Sequence, residues 1–158
     1  MLTGKIPTKK QFDKINYAFS KGYEYEMASC PLITCAKDIR KLAKKVEFMF
    51  LLSLENQKEV ITVAKHCGMD SYFNEILGGP KDKIKNFTHV IKKHKVKPSE
   101  ALYIGDSIHD ITTAKEVGFH AIGVTKSFLK RRRMIAYGAD ATFKMLCNIP
   151  FKEILKRW

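Results

Sequence analysis

No stretch of this chain approaches the roughly 18 consecutive apolar residues that a membrane-spanning helix requires. The longest apolar run, Phe48 to Leu52, suits a buried strand instead. The leading Met1-Leu2-Thr3-Gly4-Lys5 has no apolar segment behind its charge, so a secretory signal is not expected. The expectation is a cytoplasmic protein with no membrane partner. There is no C-x-x-C pair and no histidine pair at zinc-finger spacing. Cys30 and Cys35 could meet in a loop, but Cys30, Cys35, Cys67 and Cys147 read as buried reduced thiols. Acidic residues are scarce: 16 Asp and Glu stand against 29 Lys and Arg, a net charge of +13. That balance could serve an anionic partner. The lysines are nevertheless spread along the whole chain, with no RNA-recognition signature or interleaved aromatics among them. Nucleic acid is therefore not the expected partner. The densest cluster, Lys130 to Arg133, reads as a solvated helix face without sequence-specific recognition. Internal repeats and low-complexity tracts are absent.

What the chain does have is length and apolar content for one core: 158 residues, 45% of them hydrophobic. From Asp38 onward, helix and strand patterns alternate. Ile39, Leu42, Ala43 and Val46 follow helical spacing. Phe48 to Leu52 then reads as a strand buried on both faces. A helix follows, with Asn56 as N-cap, Val60, Val63, Ala64 and Cys67 as its stripe, and Gly68 as its stop. Glu75 to Leu77 is a short strand before Gly78-Gly79-Pro80. The next helix presents Ile84, Phe87, Val90 and Ile91. Ala101 to Ile104, Ala121 to Val124 and Ala141 to Phe143 are further strands, and Phe151, Ile154, Leu155 and Trp158 mark a closing helix.

Strands separated by helices of this length predict an α/β fold with a mostly parallel sheet. Ligands in such sheets sit at the carboxyl ends of strands. That rule selects Ser53, the loop from Gly78 to Lys83, and Asp106 to Asp110. The first 37 residues differ. Phe12, Ile15 and Phe19 suggest one amphipathic helix, followed by Tyr23 to Met27 and a loop around Pro31. They read as a lid, residues 1–37, set before a core, residues 38–158.

Asp106 and Asp110 carry the strongest chemical signal. Gly105 after an apolar strand lets the backbone turn, so Asp106 falls at the strand tip and Asp110 in the first helical turn. Two carboxylates held together call for a cation, and hard oxygen ligands favour Mg²⁺. The alternative is a capped helix start with Asp106 as a turn residue. Ser53, directly after its strand, could hold a phosphate oxygen against backbone N–H groups or cap a helix. Lys83 could neutralise a phosphoryl group, with Lys81 and Lys85 as competitors.

Taken in order, these segments resemble the haloacid dehalogenase superfamily. The apolar strand ending in Ser53 looks like its second motif. Gly79-Pro80-Lys81-Asp82-Lys83 is similar to the G-S-P-x-x-K form of the third, which selects Lys83. Gly105-Asp106-Ser107-Ile108-His109-Asp110 matches the G-D-S-x-x-D form of the fourth. Ala114 to Gly118, Ile122 to Val124 and Gly138 to Asp140 also fit. The resemblance runs from about Ala36 to Leu155, nearest to the phosphoglycolate-phosphatase-like branch with its helical lid.

The resemblance implies a Rossmannoid three-layer fold with helices on both faces of a parallel sheet. It implies hydrolysis of a small phosphorylated metabolite through an aspartyl-phosphate. Mg²⁺ would lie on Asp106, with Asp110 supporting it directly or through water, while Ser53 and Lys83 hold the phosphoryl group. One motif is missing. The family's first strand ends in D-x-D and supplies the attacking aspartate, and no such segment occurs here. Asp13 follows no strand and Asp38 opens a helix. The sheet is thus expected to be incomplete at its first strand, in a marginal monomer or a homodimer that exchanges elements. The rival readings are a non-catalytic relative that binds phosphate ligands or a protein, a nucleic-acid module, and a receiver-type domain. The last lacks its mid-domain phosphoacceptor aspartate.

Overall fold

The computed structural model describes residues 8–29, 36–79 and 83–157. The chain divides into two compact units, Met1–Leu32 and Ile33–Trp158. The first is described through one helix, α1 (Lys9–Ser29). Thr8 begins it with a reciprocal cap. Its hydroxyl accepts from the Gln11 N–H at 3.4 Å, and Gln11 Oε1 accepts from the Thr8 N–H at 2.9 Å. The helix continues through Tyr23 to Met27, beyond the expected stretch. Glu24, Glu26, Met27 and Ala28 all tolerate or favour helix. Phe12 and Ile15 are exposed.

The second unit begins with α2 (Ala36–Ala43) and continues as alternating strands and helices. Strands β1 (Phe50–Leu52) and β2 (Glu75–Leu77) flank α3 (Gln57–His66) and pair in parallel, Leu51 opposite Ile76. Helix α4 (Lys83–His94) leads to β3 (Leu102–Gly105), α5 (Ile108–Glu116) and β4 (His120–Val124). Helix α6 (Phe128–Ala136), β5 (Ala141–Phe143) and the short α7 (Phe151–Ile154) complete it. Strands β3, β4 and β5 form a second parallel sheet in that order.

The layers follow from alternation along the strands. On β4, Ala121 belongs to a core built with Phe87 and Val90 of α4, Ile111 and Ala114 of α5, and Met134 of α6. The next residue, Ile122, belongs to a second core with Ile149 and Ile154, the latter on α7. Helices therefore cover both faces of this sheet. Leu52 of β1 joins the first core, so one apolar layer serves both sheets.

β1 begins two residues later than its apolar run predicts. A side chain, not a ladder, holds the approach. The Met49 N–H donates to Asn74 Oδ1 at 2.8 Å, and the Met49 carbonyl accepts from the Asn74 N–H at 2.7 Å. Phe48 stacks against Phe50 and meets the His94 ring at a tilt. Asn56 caps α3 as expected, accepting from the Lys58 N–H. Of the cysteines, Cys67 is half-buried and Cys147 exposed, against the expectation of burial. Cys30 and Cys35 lie outside the described residues, as do Pro31, Pro80, Lys81, Asp82 and Trp158. Among the described residues, no helix is long and apolar enough to cross a membrane.

Glu75 ties β2 to α4. Its Oε1 accepts from Lys93 at 3.0 Å and meets His89 Nε2 at 2.9 Å, while Oε2 meets His94 Nε2 at 2.9 Å. Burial alone would raise this carboxyl. The hydrogen bonds from His94, Lys93 and His89 outweigh burial and lower it from 4.5 to about 2. A depressed carboxyl stabilises the fold above its unfolded value and loses that contribution as pH falls through the folded one. Stability should therefore decline between about pH 4.5 and pH 2. Glu75→Gln should flatten part of that decline. At pH 6 it should cost about 1 kcal/mol, since Lys93 and His89 are half-exposed and screened. Urea unfolding of both proteins at pH 6 and pH 3 checks this, and an unchanged pH slope would contradict it.

Candidate functional site

Asp106 and Asp110 leave β3 on the same turn, yet their environments are opposite. Asp110 is buried. Its Oδ2 accepts from the backbone N–H groups of Asp106 at 3.0 Å and Ser107 at 2.9 Å. Its Oδ1 is ion-paired with Lys83 Nζ. The Ser107 hydroxyl accepts in return from the Asp110 N–H at 3.1 Å. This closes a reciprocal cap on α5. The turn has no space for a side chain at Gly105. A Cβ there would lie 2.3 Å from Asp110 Cβ. Asp106 is exposed, and no hydrogen bond from another described residue reaches its carboxylate.

Lys83 is the first residue of α4 and is buried. The loop that delivers it is pinned upstream at Gly78, where a Cβ would meet the Glu55 carbonyl at 2.7 Å. The Gln57 side chain fastens the same point, donating to the Ile76 carbonyl and accepting from the Gly78 N–H. Lys85 is exposed. Burial would lower the Lys83 ammonium, but hydrogen bonds to Asp110 and Tyr103 more than offset it and raise it. Burial would raise Asp110, but the Lys83 hydrogen bond and charge, with those of Ser107, hold it below the usual carboxylate range. The pair is thus ionised at neutral pH.

Tyr103 is the residue that the sequence reading passed over. Its ring lies 5.1 Å from Lys83 Nζ and packs edge-on against Phe87. Its hydroxyl donates to the Leu52 carbonyl at 3.4 Å. Burial and the charge of Asp110 push the phenol up. A phenol set among aliphatic residues on a half-buried strand needs a polar partner, and that was the available signal.

The Leu52 contact also shows which edges face each other. Among the described residues, β1 pairs with β2 alone and β3 with β4 alone. Tyr103 of β3 reaches the carbonyl of Leu52 on β1 without a ladder between the two strands. Ser53 follows β1, half-buried, its N–H on the Leu77 carbonyl and its hydroxyl accepting from the Glu55 N–H at 3.1 Å. Among the described residues it has no direct bond to Lys83, Asp106 or Asp110. The link between them runs through Leu52 and Tyr103.

No group of three or more His, Cys, Asp or Glu among the described residues is arranged to hold a metal ion. Both Asp110 oxygens are engaged, leaving Asp106 as one open, hard carboxylate. Mg²⁺ keeps several waters and often shares its sphere between one or two carboxylates and substrate phosphates. The donor set fits Mg²⁺ held jointly with a phosphate ligand, and does not fit a cation caged by the described residues alone. His109, exposed on the first turn of α5, has its ring 3.5 Å from the Thr113 hydroxyl.

The profile of the haloacid dehalogenase-like hydrolases matches residues 5–124. A phosphoglycolate phosphatase of Vibrio parahaemolyticus is 34% identical over 85 residues, covering 51% of this chain and 37% of that protein. One from Vibrio vulnificus is 29% identical over 100 residues, covering 60% and 44%. The chain thus spans less than half the length of these relatives. Among solved structures, a haloacid dehalogenase-like family hydrolase from Streptococcus pneumoniae superposes with a TM-score of 0.76 at 18% identity. It covers 96% of this chain and 72% of that one. A predicted phosphoglycolate phosphatase from Haemophilus somnus gives 0.76 at 22% identity, covering 97% and 69%. At those identities the two structures establish the fold.

Proposed function

Because this chain belongs to the haloacid dehalogenase-like hydrolase family, we propose that it is the phosphate- and metal-holding part of a phosphomonoester hydrolase. The relatives named phosphoglycolate phosphatase support a small phosphorylated metabolite as substrate. The observation that carries the reading is the contrast at the β3 tip: an unengaged Asp106 beside an Asp110 whose two oxygens are taken by Lys83 and by backbone N–H groups.

In this reading each residue has a separate task. Asp106 would hold Mg²⁺, which when bound supplies positive charge to a phosphoryl oxygen. Lys83 has three N–H donors. Asp110 takes one, and the donors left over bind the phosphoryl group. Asp110 is a positioning residue: it orients Lys83 and keeps it charged. Ser53 binds a second phosphoryl oxygen from the end of β1. No residue of this chain is assigned the attacking carboxylate. It belongs on a strand set between β1 and β3, whose facing edges have no ladder partner among the described residues.

Calorimetry tests the metal assignment. Titrating Mg²⁺ into the chain with inorganic phosphate present should give a binding heat. Asp106→Asn should weaken that binding at least about tenfold, the loss of one charge-assisted ligand, with an unchanged urea midpoint. Equal affinity in the variant would remove Asp106 from the site.

A further inference from the structure

We propose that the outward face of α6 docks on an anionic lipid surface. Helix α6 buries Met134 completely and turns large apolar side chains outward: Phe128 is 62% exposed, Leu129 71% and Ile135 48%. The solvent side of a helix is ordinarily polar. Here the side chains between these apolar groups are basic, with Arg132 and Arg133 exposed and Lys126 exposed just before the helix. Arg131 and Arg132 each lie 5.9 Å from the Phe128 ring. Arg131 also donates to the carbonyls of Thr125 and Lys126, fixing the entry to the helix. Residues 117–139 contain no Asp or Glu to balance this charge.

The composition of the face selects its partner. A second copy of a chain with net charge +13 would be repelled. A nucleic acid would use the arginines and the ring of Phe128 but has no place for Leu129 and Ile135. A bilayer interface takes both kinds of group on one face, because anionic phosphates overlie acyl carbons and long basic side chains reach up to them. That no helix among the described residues is long and apolar enough to cross a membrane says nothing of one lying on its surface. β3 and β4 are parallel, so α6 starts at the sheet edge that carries Asp106. Docking would hold that edge near the surface.

The test is co-sedimentation of the whole chain with vesicles of phosphatidylcholine, with and without about 30% phosphatidylserine. A single-stranded oligonucleotide forms a separate arm. Binding is expected to the phosphatidylserine vesicles and to weaken with added salt. The F128S/L129S variant, whose changed side chains are exposed, should bind about tenfold more weakly or worse with an unaltered unfolding curve. R132S/R133S should lose the preference for phosphatidylserine. Absence of vesicle binding would overturn the proposal. So would vesicle binding that F128S/L129S leaves unchanged, or binding to the oligonucleotide in place of vesicles.

Discussion

Asp110→Ala should cost about 3–5 kcal/mol of folding stability, whereas Asp106→Ala should change it by no more than about 0.5 kcal/mol. The two residues share a turn and a chemistry, so motif membership alone gives no reason for a difference. Their partners do. Truncating Asp110 strands Lys83, whose side chain is 7% exposed, as an uncompensated buried ammonium. It also frees the N–H groups of Asp106 and Ser107 at the start of α5. Truncating Asp106 removes a carboxylate that water already solvates. A double variant identifies the mechanism. Lys83→Met in the Asp110→Ala background should recover part of the loss, because an apolar replacement of a buried pair is better tolerated than half a pair. Urea unfolding of the four proteins is sufficient. Equal destabilisation by the two aspartate variants, or no recovery in the double variant, would contradict the assigned roles.

The strands were readable as short apolar runs between helical patterns, although burial on both faces holds for the interior of β4 and not for β1, where Phe50 and Leu51 are half-buried. β2 and β5 have the expected limits, β3 is shifted by one residue at both ends, and β4 starts one residue earlier than expected. β1 was read too long because Phe48 and Met49 are as apolar as the strand. What stops the ladder is the Asn74 side chain, 25 positions away from Met49. α1 was read too short because its second half carries no clear apolar stripe, while backbone propensity carries the helix on.

The candidate site was legible as a set of places and not as a set of bonds. Strand tips and glycines pointed to Ser53, Lys83, Asp106 and Asp110. The division of labour between the aspartates was hidden because it depends on Lys83, 27 positions from Asp110. Tyr103 was hidden among Leu102 and Ile104 as one more core residue. The outward apolar face of α6 was hidden by its own arginines, which make the segment read as a solvated surface.

Hydrolysis of p-nitrophenyl phosphate with Mg²⁺ decides most directly whether this chain holds a phosphate without attacking it. Asp106, Lys83 and Ser53 can orient a phosphoryl group and offset its charge, but none is an in-line carboxylate nucleophile. Such groups act as a unit with the nucleophile, so little of their contribution survives its absence. A version carrying an apolar strand with D-x-D ahead of the chain should pair that strand with β1 and β3. It should turn over at least on the order of 10⁴-fold faster than the chain itself, and Asp106→Asn should abolish the gain. The chain as it stands should show no metal-dependent turnover. Turnover by the unaltered chain, dependent on Mg²⁺ and lost in Asp106→Asn, would contradict the account and place a nucleophile among these 158 residues.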